Sequence, residues 1–191
     1  MLDLGCGDGV VTAAIADADP AITATLVDGS ADMLKTAGER LSGLKNARFM
    51  NTSFQEMLRK DSVGESYDFI ASSLAFHHLA LDEKKSLLQY AYGHLKPGGY
   101  FVNIDVVLAP SGQLEQWYLS LWRKWIEERQ RVLEIASGMF DNIVERYKDN
   151  RDNKPDSLDA QLDAMRTIGF KDVDCYYKYG IFTMFGGRRA A

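Results

Sequence analysis

Short apolar runs alternate with amphipathic segments through the first half of the chain. "MLDL" reads as a buried strand entering a glycine-rich turn, and "GVVTAAIADAD" as a helix ending before Pro20. "AITATLVD" is a second strand. After it, Met33, Leu34, Ala37 and Leu41 share one helical face, with Ser30 as the cap. "NARFMN" predicts a third strand followed by a helix around "FQEML", and "YDFIASSLA" predicts a fourth strand. From about Asp82 to His94, the spacing of Leu87, Leu88, Ala91 and Leu95 predicts a helix packed on a sheet. "LKPGG" then punctuates the chain as a turn before the strand "YFVNIDV". Strands separated by helices in this way predict a parallel sheet covered on both faces by right-handed crossovers.

The pattern changes after Leu108. From about Gln113 to Ala136, Leu114, Trp117, Tyr118, Leu121, Trp122, Trp125, Leu133 and Ala136 recur at helical spacing, which predicts one long aromatic helix. A second helix is expected from Met139 to Lys148, followed by a charged linker, "KDNRDNKPD". Asp156 or Ser157 caps a helix whose stripe of Leu158, Leu162, Met165 and Ile168 ends at Gly169. "KDVDCYYKY" and "IFTMFGG" lie so close in sequence that only a hairpin joins them, so one of them must run antiparallel to the main sheet.

With 191 residues, 46% of them hydrophobic, the chain has enough material for one substantial core, which predicts a single domain over 1–191. Its formal charge of −5 supplies no general attraction to phosphate backbones or anionic lipid. Cys6 and Cys175 are too few for a disulfide framework, and no metal-ligand spacing occurs. No stretch approaches the roughly 20 apolar residues of a membrane helix. A soluble, cytoplasmic protein without membrane or metal partners is therefore expected.

The candidate chemistry begins where the first strand ends. Asp3, Gly5, Gly7 and Gly9 form D-x-G-x-G-x-G, a tight turn that a ligand can approach closely, beside the unpaired N–H groups of a helix start. Asp28 closes the second strand at a separation suited to a carboxylate that binds a ribose diol. A dinucleotide fingerprint fails because Val10 stands where its last glycine would fall, and no lysine follows to make a phosphate loop. Asp8 would repel a pyrophosphate, so a nucleoside without phosphates is the expected ligand.

Taken together, "LDLGCGDG", "TATLVDGSADML", "YDFIASSLAFHHL" and "LKPGGYFVNID" resemble the motifs of the class I S-adenosylmethionine-dependent methyltransferases, and "GFKDVDCYYKYGIFTMFGG" resembles that family's end. The resemblance implies an α/β, Rossmann-like three-layer sandwich, whose seven-stranded sheet is mostly parallel with an antiparallel last strand. It also implies S-adenosyl-L-methionine as cofactor. By the same resemblance, Asp3, Gly5 and Gly7 surround the methionine part and Asp28 holds the ribose, with Gly9, Gly29, Met33, Ser53, Phe54 and Ser72 completing the cofactor site. Asn51, Thr52 and Ser53 occupy the region where related enzymes often place an acid against adenine. Met33 and Phe54 fit core positions equally well.

Ligands of open parallel sheets bind at the strands' carboxyl ends, which directs attention to "SSLAFHHL" and Asp105. His77 and His78 are candidate proton acceptors, with folding of their loop as the competing role. Residues 109–155 are expected to form a helical cover over the substrate site, ending in a linker. Arg123, Lys124, Arg129 and Arg131 in this cover could face an anionic acceptor. Methyl transfer to a small molecule is the expected activity. Modification of transfer RNA and cofactor binding without catalysis are the alternatives. Met1 already opens the first strand, whereas related enzymes place one or two helices before it. This leads to the expectation of a shortened form that binds cofactor weakly unless the aromatic helix or another subunit of a homo-oligomer covers the site.

Overall fold

A computed structural model describes residues 1–64, 66–135, 140 and 142–191. The strands are β1 (Leu2–Leu4), β2 (Ala24–Asp28), β3 (Ala47–Asn51), β4 (Tyr67–Ser73), β5 (Leu95–Val106), β6 (Lys171–Tyr179) and β7 (Phe182–Arg188). The helices are α1 (Val10–Ala18), α2 (Ala31–Arg40), α3 (Phe54–Lys60), α4 (Leu81–His94), α5 (Gly112–Val132), α6 (Ile143–Asp149) and α7 (Leu158–Ile168), with a 3-10 turn at Phe76–His78. One sheet runs in the order β3-β2-β1-β4-β5-β7-β6. Only β7 opposes its neighbours, pairing antiparallel with both β5 and β6.

Strand alternation divides the core. Leu2, Leu4, Val27, Ile70, Phe101 and Phe185 face α3, α4 and α7, where Met57, Leu87, Leu88 and Met165 close the larger cluster. Ala24 and Leu26 point to the opposite face and meet Leu34 and Leu41. A third cluster joins Val106 and Ile181 to Leu119 of α5 and Val144 of α6. Helix starts follow the expected chemistry: Ser30, Ser53 and Ser157 accept the backbone N–H of Met33, Glu56 and Ala160. Asp156, the other expected cap, turns its carboxylate toward Lys84 instead.

Two boundaries differ from the sequence reading. The "LKPGG" turn is absorbed into β5, because Gly98 donates to the Arg189 carbonyl at 3.1 Å and Arg189 donates back to Gly99 at 2.8 Å. A register shift against β4 marks where the turn interrupts regular pairing. The long helix ends at Val132 with Glu134 at φ 52°, while Ala136 and Met139 lie outside the described residues. Among the described residues, no helix is long and apolar enough to cross a membrane.

Candidate active site

The strand order reverses between β1 and β4, so their carboxyl ends frame a crevice that no crossover covers. Gly5 and Cys6 both donate to the Val27 carbonyl, at 2.8 and 3.0 Å, which laces the glycine turn to β2. The carboxylate of Asp28 then faces the turn: Oδ2 accepts Gly7 N–H and Oδ1 accepts Ser30 N–H, both at 2.8 Å. Each oxygen has a second lone pair, so a diol can still be received once the backbone bonds have oriented the group. Beside it lies a cavity of about 900 Å³ whose walls include Gly5, Gly7, Asp28, Gly29, Met33, Ser53, Phe54 and His78.

The two first glycines serve different ends. A Cβ on Gly5 would lie 2.5 Å from the Ala75 Cβ, whereas one on Gly7 would meet nothing within 4 Å; both residues have positive φ. Gly5→Ala should therefore cost roughly 3 kcal/mol or more of stability, from left-handed strain plus overpacking. Gly7→Ala carries only the strain of about 1–2 kcal/mol, but its methyl group would narrow the ligand's approach. Thermal unfolding and cofactor calorimetry on the pair should show stability lost mainly in the first and affinity mainly in the second.

These residues fit a nucleoside cofactor: an oriented carboxylate, an open backbone edge, and apolar surface from Met33 and Phe54. Three expected contacts lie behind the wall. Gly9 packs on α2, its Cβ direction blocked by Ala37 and Leu41 at 3.1 Å. Ser72 is buried and donates to the Leu4 carbonyl at 2.7 Å, while the next residue, Ser73, reaches the cavity because successive strand side chains alternate. Asp3 is 0% exposed and accepts Thr12 Oγ1–H at 2.6 Å, leaving Oδ1 without a hydrogen-bond partner among the described residues. Burial raises its pKa to about 6.

The histidines divide their roles. His77 is buried, with Nδ1 2.6 Å from Asp105 Oδ1, while its backbone N–H donates to Oδ2 at 2.9 Å. His78 lines the cavity, its ring 4.0 Å from that of His77. Desolvation first, and then the neighbouring His77, lower the His78 pKa from its usual value, which favours the neutral imidazole that can accept a proton. Leu74, also in the wall, adopts φ 50°, an unusual conformation for a branched residue, and is pinned by its N–H to Ile104 O at 2.8 Å.

The cover differs from expectation. Helix α5 contributes no lining residue to this cavity among those described. Its Trp122 packs instead on Tyr147 of α6 and on Phe182 at the start of β7, and Arg123 pairs with Glu145 of α6 rather than facing the cavity. Sequence reasoning missed Val10, Val11, Thr36, Gln55, Leu74 and Leu79 in the wall. Val10 and Val11 directly follow the glycine motif, a position that could have signalled them. Asp8 is held by Arg40.

The doubly wound sheet, the reversal point and the carboxylate-braced glycine turn form a crevice of Rossmann-like type whose residues suit a nucleoside. The chain belongs to the methyltransferase domain family, whose model matches residues 2–101, and through it to the class I S-adenosylmethionine-dependent methyltransferases. A carboxy-S-adenosyl-L-methionine synthase of Chromohalobacter salexigens is 26% identical over 183 residues, covering 94% of this chain and 64% of that protein. A ribosomal RNA small subunit methyltransferase C of Salmonella paratyphi B is 34% identical over 104 residues, covering 52% of this chain and 29% of that one. Human N-acetylserotonin methyltransferase in complex with SAM shares the fold at a TM-score of 0.67 and 20% identity, covering 100% of this chain and 47% of that chain. The chain thus spans less than two thirds of the length of these relatives.

Proposed function

We propose that this chain transfers the methyl group of S-adenosyl-L-methionine to a small-molecule acceptor. The observation that carries this reading is a single cavity of about 900 Å³ with Asp28 in one part of its wall and His78 in another. When bound, the cofactor supplies an electrophilic methyl carbon on a sulfonium, so the protein's task is alignment and exclusion of water. The glycine turn and Asp28 bind and orient the nucleoside. Met33 and Phe54 exclude water from its apolar surface, with Val10 and Leu74 extending the apolar wall. His78 Nε2 or Nδ1 takes the acceptor's proton where the nucleophile needs to lose one.

Net charge of −5 and a cavity of metabolite size favour a small acceptor over RNA. The relative named carboxy-S-adenosyl-L-methionine synthase adds support, since the product in its name is itself a small molecule. Methyl-labelled cofactor incubated with the protein and with separate metabolite and RNA pools tests the proposal. Label entering a metabolite fraction is expected. Label in RNA alone would establish the transfer RNA or other RNA alternative, and saturable binding without any transfer would leave a cofactor-binding protein.

A further inference from the structure

Lys84 lies on α4 at the apolar stripe position preceding Leu87, Leu88 and Ala91, and only 1% of its surface is exposed. An ammonium in such a place demands partners, because desolvation of an unpaired charge is prohibitive. Lys84 Nζ donates to the Lys154 carbonyl at 2.6 Å and forms an ion pair with Asp156. Both partners belong to the short connection between α6 and α7. That connection is fastened to the histidine turn as well: Lys154 N–H donates to the His77 carbonyl at 2.6 Å, and the Asp152 backbone faces the His78 ring. Its far end is tied to the sheet, with Leu108 N–H donating to the Asp156 carbonyl at 3.0 Å.

We propose that Lys84 is a positioning residue for methyl transfer, which clamps the Asp152–Asp156 strap across the Phe76–His78 turn and thereby fixes His78 in the cavity wall. The inference rests on the methyl-transfer reading, yet Lys84 itself lies outside the cavity lining. The strap, rather than the long aromatic helix, is the part of the expected cover that meets the histidine pair. A methionine at position 84 would keep the length and apolar stem of lysine while releasing the strap, and Asp156, partly open to solvent, can rehydrate its carboxylate.

Lys84→Met, made in the full chain, should remain folded and bind S-adenosylmethionine as the parent does. Hydrogen exchange at the Lys154 and Leu108 amides should accelerate while the β1 and β4 amides stay protected, and the ring resonances of His77 and His78 should shift. With acceptor present, kcat should fall about tenfold or more, as for a misplaced reacting group, with KM for the cofactor unchanged. The exchange and resonance measurements need neither cofactor nor acceptor, so failure of the methyl-transfer reading leaves them decisive. Parent-like exchange and unshifted histidine resonances would overturn the proposal. If Lys84→Met unfolds, Asp156→Asn provides the same comparison, and unfolding of both would assign Lys84 to global stability and overturn the positioning role.

Discussion

Replacing Asp28 with Ala is expected to weaken S-adenosylmethionine binding by about a hundredfold, roughly 3 kcal/mol. A charge-assisted hydrogen bond to a ribose hydroxyl contributes about 1.5–3 kcal/mol by itself. The substitution also leaves Gly7 and Ser30 N–H without their acceptor, both of which the carboxylate now holds at 2.8 Å. The turn that presents its open backbone edge to the ligand would slacken together with the lost contact. Calorimetric titration of folded parent and variant measures the change. A lower melting temperature with unchanged affinity would assign Asp28 to bracing the turn alone.

The second large effect concerns Asp3 and depends on pH. An aspartate ordinarily titrates at 3.8, but burial raises Asp3 to about 6, opposed in part by its bonds to Thr12. Below pH 3.8 the group is protonated in both folded and unfolded chains and imposes no penalty. As pH rises through about 6, the unfolded chain has already ionised while the native chain must hold the proton or charge a buried site, so stability is lost. The span corresponds to roughly 3 kcal/mol. Asp3→Asn does not titrate and is expected to gain stability relative to the parent as pH moves from 4 to 8, a difference read from thermal unfolding at each pH. A difference between the two proteins that stays constant across this range would contradict the origin assigned to the shift. The carboxylate sits beneath the glycine turn, bonded to Thr12 of α1 through Oδ2 and with Oδ1 unpartnered among the described residues.

The sheet and its turn were readable because they depend on local signals. Buried strands read as continuous apolar runs, glycines at alternate positions mark a turn, and a carboxylate at the next strand's end marks its neighbour. The phase of a strand buried on both faces is harder to read. Ser72 and Ser73 are equivalent in composition, and only the pairing of β4 with β1 decides which one faces the crevice. Asp3 and Gly9 belong to the motif that identified the site, yet they hold α1 and α2 in place behind it. The stretch from Asn150 to Asp156 read as a linker because it is polar; its fastening to Lys84 and His77 is tertiary and leaves no periodic trace. Lys84 did leave one, as a charged residue at the i−3 position of an apolar helical stripe. The amphipathic pattern of α5 was correct as a helix, but the pattern alone could not say that its partners are α6, the end of β5 and the start of β7 rather than the cofactor cavity.

The central claim is that the crevice between β1 and β4, framed by the glycine turn and Asp28, is where S-adenosylmethionine binds. Amide chemical-shift mapping during titration with S-adenosylhomocysteine, the demethylated form that does not turn over, tests this most directly. The account predicts saturable shifts at Gly7, Gly29, Thr52, Phe54 and Ser73, all in the cavity wall, with β6 unaffected. Shifts confined to the separate cavity between α5 and α6, around Ile126 and Val144, would contradict it.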